Sequence, residues 1–299
     1  MQSNRFAVVD VGSNTTKLQI SEQVDTNFVV LLFKSYDLPL APQTGIIQAV
    51  SVKHCIAALL GILELMEAYH VVQYKVVGTE ALRTATNARS VLDEIASATG
   101  IHIAVLSQEE EARLTLAAVQ IDMRESSLVC INGGGGSTEI CWHRPISDDY
   151  AVLGLGARNM TDNYLLHVKG YSDTKQIIYL TIKKTLSEIG KSNMSQLGKM
   201  VCIGGSIWAA VMLLKRSAPH DFSTINRQNL HVEELEALAK QLIDEPTSFQ
   251  GNKFAPDSSR MRILPAGILI QTCLARLLGF NEITISTRSI SDALVQTFK

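Results

Sequence analysis

The sequence predicts an α/β protein of two domains, each a mixed sheet flanked by helices, with a ligand-binding cleft between the domains. Apolar segments of strand length alternate with segments of helical periodicity in two successive rounds, and each round begins with three strands in a row. Each round also opens with the same pattern: an apolar strand that ends in Asp10 or Asn132, a turn of glycine and hydroxyl side chains, and a second strand. A chain of 299 residues, 46% of them hydrophobic, is long enough to bury two cores.

The first round is predicted as three antiparallel strands followed by alternating helices and strands. Short Val-, Ile- and Leu-rich runs bounded by Gly, Asn or Asp favour strands, and longer stretches with apolar side chains three or four residues apart favour helices. In chain order we expect strands at 5–10, 16–23 and 27–36, a helix at 51–69, a strand at 73–79, a helix at 88–99, a strand at 103–106 and a helix at 108–122.

The second round repeats the order and adds helices. By the same criteria we expect strands at 127–132, 137–143 and 149–153, helices at 157–166 and 173–190, a strand at 199–203, a helix from 204, helices at 232–243 and 261–278, a strand at 282–286 and a last helix from 289. Segments near 191–196 and 245–259 are rich in Ser, Asn and Pro, and we expect loops there.

The two rounds give the predicted domains. The N-terminal domain is expected at 1–123 and the C-terminal domain at 124–299, with the helix near 289–299 as a candidate to pack back on the first domain.

Composition excludes several classes of protein. The net charge of −2 lacks the broad basic field of a nucleic-acid binder. The five cysteines are scattered, without a Cys-x-x-Cys pair, which argues against a disulfide framework or a structural zinc site and indicates a reducing cytoplasm. The first strand begins almost at Met1, so we expect no secretory signal. The most apolar segments, 55–65 and 263–278, are interpreted as buried helices and not as membrane spans.

Two turns are the candidate phosphate-binding elements. The first turn contains Gly12, Ser13, Asn14 and Thr15, and the second contains Gly134, Gly135, Gly136, Ser137 and Thr138. Glycine lets backbone N–H groups converge on phosphate oxygens, and hydroxyl groups add donors. Either turn alone is typical of an ordinary hairpin, but the pattern occurs twice and therefore indicates a phosphate-binding protein.

Six segments in order along the chain resemble the exopolyphosphatase and guanosine pentaphosphate phosphohydrolase (Ppx/GppA) family, a short two-domain form within the actin, sugar kinase and Hsp70 superfamily. The segments are Asp10-Val-Gly-Ser-Asn-Thr, Thr79-Glu-Ala-Leu-Arg-Thr-Ala-Thr-Asn87, Leu106-Ser-Gln-Glu-Glu-Glu-Ala-Arg113, Gly134-Gly-Gly-Ser-Thr-Glu139, Val201-Cys-Ile-Gly-Gly-Ser206 and Leu264-Pro-Ala-Gly267. Each segment is weak alone, and the set spans nearly the whole chain. The resemblance implies two actin-like (ribonuclease H-like) domains.

The resemblance also implies roles for individual residues. Glu111 matches the glutamate that activates the attacking water, whereas Ser107 and Glu110 have the spacing of a capping box. Arg83 is implied in the cleft, where its planar fork suits two phosphate oxygens, and is otherwise a solvated arginine. Asp10 and Glu139 are implied as carboxylates for Mg²⁺. A third turn of Gly204, Gly205 and Ser206 is a candidate phosphate site or a close contact between helix and sheet.

The second turn departs from the family at its first position. Asn132 stands where the family has Asp, so the candidate metal set of Asp10, Asn132 and Glu139 carries one charge fewer than expected. Lys17 stands where Arg or His is common in the family, and Trp208 stands where Arg is frequent. Ser289-Ile-Ser-Asp292-Ala replaces a block that carries a further arginine. These departures indicate a slow enzyme, an enzyme with an altered substrate, or a former enzyme that is kept for binding its ligand.

The leading hypothesis is a cytoplasmic, Mg²⁺-dependent hydrolase that releases terminal phosphate from inorganic polyphosphate. Two alternatives stay open: a guanosine pentaphosphate 5′-phosphohydrolase, and a catalytically weakened sensor of polyphosphate or nucleotide. The expected partners are therefore inorganic polyphosphate or a phosphorylated guanosine nucleotide, with no nucleic acid and no membrane, and a homodimer is kept open as the assembly. A sugar kinase-like transferase is disfavoured, because no candidate Asp base stands out beside the second turn.

Overall fold

The computed structural model describes residues 4–40, 45–145, 147–188, 198–218 and 222–298. The chain divides into two compact units: unit 1 runs to Ala118 and resumes at Ile290, and unit 2 runs from Val119 to Ser289. The segment from Ile290 thus groups with unit 1, and the division after Ala118 lies within a helix, earlier than the expected boundary at 123. The loop expected near 191–196 lies outside the described residues.

Unit 1 is a mixed five-stranded sheet with helices. Its elements are β1 (Arg5–Val11), β2 (Thr15–Val24), β3 (Asn27–Asp37), α1 (Ala49–Ala68), β4 (Val71–Gly78), α2 (Glu80–Thr84), α3 (Ala88–Thr99), β5 (Ala104–Val105), α4 (Gln108–Met123) and, from the C-terminal segment, α11 (Ile290–Val295). The strand order is β3-β2-β1-β4-β5, with β1 antiparallel to β2 and parallel to β4.

One core of unit 1 lies between the sheet and helices α1 and α3. Leu18 and Ile20 of β2 are buried there, together with helix residues three and four positions apart, the spacing that puts side chains on one helical face: Val52, Cys55, Leu59, Ile62 and Met66 of α1. A second cluster joins Phe6 and Val8 of β1 to Leu294 of α11. The Phe6 and Phe298 rings stack with centroids 4.8 Å apart, so the C-terminal segment completes this second cluster.

Unit 2 is a mixed six-stranded sheet with a larger set of helices. Its elements are β6 (Leu128–Gly133), β7 (Thr138–Arg144), β8 (Ser147–Leu153), α5 (Ala157–Tyr164), α6 (Tyr171–Glu188), β9 (Met200–Ile203), α7 (Gly205–Lys215), α8 (Phe222–Ile225), β10 (Asn229–His231), α9 (Val232–Asp244), α10 (Ser258–Leu277) and β11 (Glu282–Ile285). The strand order is β10-β11-β9-β6-β7-β8, and β6 is antiparallel to β7 and parallel to β9.

The predicted elements are present with small shifts, and the missed elements are short. Patterns of periodicity miss α2, α8 and β10 because these span too few residues to show a period. The loop expected at 245–259 contains a 3₁₀ turn at Pro246–Phe249 and the start of α10, so that expectation was wrong in part. Helix α10 begins early because the Asp257 carboxylate accepts a hydrogen bond from the Arg260 N–H at 3.0 Å, an N-cap.

Among the described residues, one helix, α1, is long and apolar enough to cross a membrane by length and composition. In its most apolar 18-residue stretch, 28% is buried. The core helix of a globular protein passes the same test, and α1 contributes five buried side chains to the unit 1 core. The segment around 263–278 does not pass it.

Two neighbouring leucines of α1 test this packing. Leu59 is fully buried, whereas Leu60 is 43% exposed. We expect Leu59→Ala to lower the free energy of unfolding of unit 1 by about 3 kcal/mol, because it leaves a cavity, and Leu60→Ala to lower it by less than about 1 kcal/mol. Urea unfolding followed by circular dichroism measures both; equal losses would contradict the packing described for α1.

Candidate functional site

The first candidate turn, Gly12–Thr15, connects β1 to β2 and is closed by one backbone hydrogen bond. The Gly12 N–H donates to the Thr15 carbonyl at 3.0 Å. A Cβ at Gly12 would lie 3.0 Å from that same carbonyl oxygen, so a side chain fits poorly there. Ser13, Asn14 and Thr15 are buried although they are polar. The turn is therefore compact, and its conformation depends on glycine at its first position.

The second candidate turn, Gly134–Ser137, is built in the same way between β6 and β7. The Gly134 N–H donates to the Ser137 carbonyl at 2.9 Å. The carbonyl of Gly135 accepts from the Arg158 N–H at 2.8 Å, which ties the turn to the first residues of α5. The Thr138 hydroxyl donates to the Leu155 carbonyl at 2.7 Å. The repeated pattern of the sequence thus corresponds to a repeated backbone structure.

The strand residues that flank the turns form matching cross-strand pairs. Asp10 lies opposite Lys17 in the β1–β2 ladder, and Asn132 lies opposite Glu139 in the β6–β7 ladder. Lys17 Nζ is 3.7 Å from Asp10 Oδ2. Asn132 Nδ2 donates to Glu139 Oε2 at 2.9 Å. Each turn therefore carries one carboxylate, on the first strand in unit 1 and on the second strand in unit 2.

Asp10 is a buried carboxylate that is incompletely neutralised. Burial raises the pKa of Asp10 above its ordinary value, and the nearby Lys17 ammonium opposes this increase. The Asp10 Oδ1 atom is buried and has no hydrogen-bond partner among the described residues. An unpaired carboxylate oxygen suits a cation or a water that a cation holds.

Arg83 lies in the last turn of the short helix α2, and not at a helix start. Its Nη1 donates to the Leu106 carbonyl and to Glu111 Oε2, both at 2.9 Å. Its Nε and Nη2 atoms are buried without a hydrogen-bond partner in the part of the chain that the structure describes. One edge of the guanidinium is thus fixed, and the other presents two adjacent donors of the kind that bind two oxygens of a phosphate.

Glu111 is buried beside Arg83. Burial raises the pKa of Glu111, the Arg83 hydrogen bond and charge oppose the increase, and the charges of Asp10 and Glu80 add to it. Glu110 is different, because its Oε2 accepts from the Ser107 N–H at 2.8 Å while its own N–H donates to the Ser107 hydroxyl at 3.1 Å. The capping box is confirmed, and Glu111 is left as the glutamate beside Arg83.

Sequence reasoning missed Glu80. The Ser13 hydroxyl donates to the Glu80 carboxylate, which brings the first residue of α2 against the first turn. The signal available in the sequence was its position directly after the buried end of β4 and Thr79. Unit 1 therefore brings together the first turn, Asp10, Glu80, Arg83 and Glu111.

The third turn, Gly204–Ser206, packs against the end of β6 within unit 2. Gly204 has φ +110°, and a Cβ there would collide with the backbone of Gly133. A Cβ at Gly205 would collide with the guanidinium of Arg260, a cation that sequence reasoning missed. Ser206 is buried against Gly267. These contacts support the packing interpretation of this turn, and its phosphate role stays a prediction.

Gln271 of α10 is a second missed residue of unit 2. Its Nε2 atom lies where a Cβ of Gly133 would be and donates to the Ile203 carbonyl at 3.3 Å. It thereby connects the ends of β6 and β9, the strands that lead into the second and third turns.

The candidate metal residues differ in how well they suit a metal ion. No group of three or more His, Cys, Asp or Glu side chains that could hold a metal occurs within the described ranges. Asp10 suits one through its unpaired Oδ1. In unit 2, Glu139 Oε2 accepts from Asn132 and Oε1 accepts from the Ser137 hydroxyl at 2.6 Å. Both Glu139 oxygens therefore already accept a hydrogen bond, and Asn132 faces Glu139 with its donor nitrogen.

Comparisons with known proteins agree with this architecture. The chain superposes on the crystal structure of the Aquifex aeolicus member of the Ppx/GppA family with a TM-score of 0.81 at 20% identity, over 99% of this chain and 97% of that chain. It superposes on an exopolyphosphatase from Cytophaga hutchinsonii with a TM-score of 0.86 at 20% identity, over 98% and 97%. The fold is therefore the two-domain actin-like fold of these proteins.

Sequence comparisons identify the family. An uncharacterised protein of Streptomyces coelicolor is 26% identical over 179 residues, which are 58% of this chain and 53% of that protein, so the chain spans about half the length of this relative. The model of the Ppx/GppA phosphatase family matches residues 36–295, which include α2 with Arg83, the start of α4 with Glu111, and the second and third turns. Because that match covers most of the chain, the protein belongs to the Ppx/GppA phosphatase family.

Proposed function

We propose that the protein is a phosphoanhydride hydrolase that releases terminal phosphate from inorganic polyphosphate, with Glu111 activating the attacking water. The observation that carries this proposal is the arrangement of Arg83, which is held through Nη1 while Nε and Nη2 have no partner among the described residues. A buried, unpaired donor costs free energy, and a tetrahedral oxyanion supplies the two acceptors that these donors need.

Glu111 supplies the base. Its ion pair with Arg83 uses Oε2, so the residue that binds the transferred phosphoryl group also orients the base beside it. A raised pKa makes the carboxylate a better proton acceptor once it is ionised. The proton of the attacking water would pass to this carboxylate as the water oxygen bonds to the terminal phosphorus. The bond from that phosphorus to the bridging oxygen breaks in the same step, and the shortened polyphosphate leaves with the bridging oxygen.

Each turn is proposed to hold phosphate oxygens within its own unit. Gly12–Thr15 and Gly134–Ser137 offer backbone and hydroxyl donors, as the sequence pattern predicts. Members of this family generally depend on a divalent metal ion. We propose Asp10 as the carboxylate for Mg²⁺, which when bound would neutralise charge on the phosphate oxygens and so assist attack.

Polyphosphate is the substrate that we propose first. The protein from Cytophaga hutchinsonii that shares this fold is an exopolyphosphatase, which favours polyphosphate. Guanosine pentaphosphate would bind through its phosphates to the same residues, and it additionally needs contacts between the protein and its guanine base. Asn132, which lowers the charge of the second turn, favours the sensor as a further candidate.

We propose the cytoplasm as the location of the protein, since all five cysteines are unpaired and buried.

Two adjacent glutamates test the proposed base. We expect Glu111→Gln to lower the rate of phosphate release from long-chain polyphosphate by a factor of about 10² to 10⁴, because it removes the proton acceptor. Glu110→Gln is the matched control, since Glu110 caps α4 and is fully exposed; it should retain most of the activity. Phosphate release is measured with Mg²⁺ and with EDTA.

The same assay separates the alternatives. Phosphate release from guanosine pentaphosphate but not from polyphosphate would make guanosine pentaphosphate the substrate in place of polyphosphate. If the protein binds polyphosphate but releases phosphate no faster than the Glu111→Gln variant, the hydrolase proposal is wrong and the sensor is favoured.

We expect the acidic side of the kcat/KM profile against pH to report the ionisation of Glu111. The base must be ionised, and its pKa lies above the ordinary value, so kcat/KM should rise with pH through that raised pKa and then level. In Glu111→Gln the residual activity should lose this rise. An identical acidic limb in the variant would assign the ionisation to another group.

A substitution at Arg83 tests the role of its two adjacent guanidinium donors. Arg83→Lys keeps the charge but offers a point charge in place of two adjacent donors, and we expect kcat/KM to fall by roughly 10²-fold. Arg89→Lys is the control, because the Arg89 side chain is 91% exposed. Equal activity of the two variants would contradict the role given to Arg83.

A further inference from the structure

The inference concerns the Asn132–Glu139 pair at the second turn, which differs from its counterpart at the first. Because Gly12 and Gly134 make the same closing hydrogen bond, Asp10 and Asn132 occupy equivalent positions at the ends of β1 and β6. Lys17 and Glu139 are likewise equivalent on β2 and β7. The first pair joins opposite charges, and the second joins an amide to a carboxylate.

The Glu139 carboxylate is satisfied by neutral donors of unit 2. It is only 1% exposed. Asn132 Nδ2 donates to one oxygen at 2.9 Å and the Ser137 hydroxyl to the other at 2.6 Å. The opposite amide orientation would put Oδ1 against a carboxylate oxygen, two acceptors without a hydrogen, so the network assigns Nδ2 to this contact.

Glu139 lies near the buried thiol of Cys130. Cys130 is two residues before Asn132 on the same face of β6. Burial raises the pKa of the Cys130 thiol well above its ordinary value, and the charges of Cys202 and Glu139 add to the increase. A buried carboxylate that lacked its hydrogen bonds would be strongly unfavourable here.

We propose that the Asn132 amide does at the second turn what a metal ion does between two carboxylates: it bridges positions 132 and 139 and fixes Glu139, so that this turn is organised without a metal ion. An aspartate at position 132 would oppose two buried carboxylates directly across the ladder, which requires a cation or a shared proton. Asn132 removes that requirement. Asn132 is thus a positioning residue for the turn, and any metal dependence of the protein belongs to Asp10.

The inference rests on the proposed function only in treating this turn as a phosphate site, and metal binding decides it without any activity. Mn²⁺ binding is counted by electron paramagnetic resonance in the full chain. In an Asp10→Asn variant we expect no bound Mn²⁺. Adding Asn132→Asp should create one Mn²⁺ site, and adding Glu139→Gln to that double variant should abolish it.

Thermal unfolding gives the second readout. We expect Asn132→Asp to unfold roughly 5 °C lower than the parent chain in EDTA, and Mg²⁺ to restore the loss. Mn²⁺ that stays bound in Asp10→Asn and is lost in Asp10→Asn with Glu139→Gln would overturn the inference, and this comparison remains available even if Asn132→Asp fails to fold. An Asn132→Asp variant that is as stable as the parent chain in EDTA would also overturn it.

The outcomes remain separate from those of the proposed function. A protein that releases no phosphate but gives the expected Mn²⁺ counts would refute the hydrolase and keep this inference. A metal-dependent hydrolase that binds Mn²⁺ through Glu139 would do the reverse.

Discussion

The backbone hydrogen bond that closes each four-residue turn, from Gly12 to Thr15 and from Gly134 to Ser137, is the constraint on which both candidate sites depend. It fixes where the flanking strands end, and therefore which residues face each other across the ladder. Asp10 meets Lys17 and Asn132 meets Glu139 because of this register. A side chain at the first turn position would press on the carbonyl that accepts the bond, so glycine is required there.

Buried charge is compensated differently in the two units. In unit 1, carboxylates and cations are buried together, and burial still raises the pKa values of Asp10 and Glu111. In unit 2, Glu139 is held by an amide and a hydroxyl. An ionic cluster with unpaired atoms suits a charged ligand, whereas a completed network of neutral donors holds its shape unaided. Unit 1 therefore carries the proposed chemistry.

Much of the fold could be predicted because long elements show their period. The face of α1 that carries Leu59 and Ile62 is visible from spacing alone, and so is the alternation of helices and strands. Helix α2 spans five residues and shows no period, so the sequence does not predict the helix on which Arg83 lies. Glu80, Arg260 and Gln271 were missed because each acts through a contact with a residue distant in sequence.

The sequence by itself determined the family, the repeated turn pattern and the capping box of Ser107 and Glu110, because these depend on residue types in short segments. Only the tertiary structure decided which donors of Arg83 are engaged, that Glu80 reaches Ser13, and that Asn132 bonds to Glu139. Those facts follow from burial and from contacts between distant segments, and hydrogen-bond satisfaction is a property of the folded chain and not of local sequence.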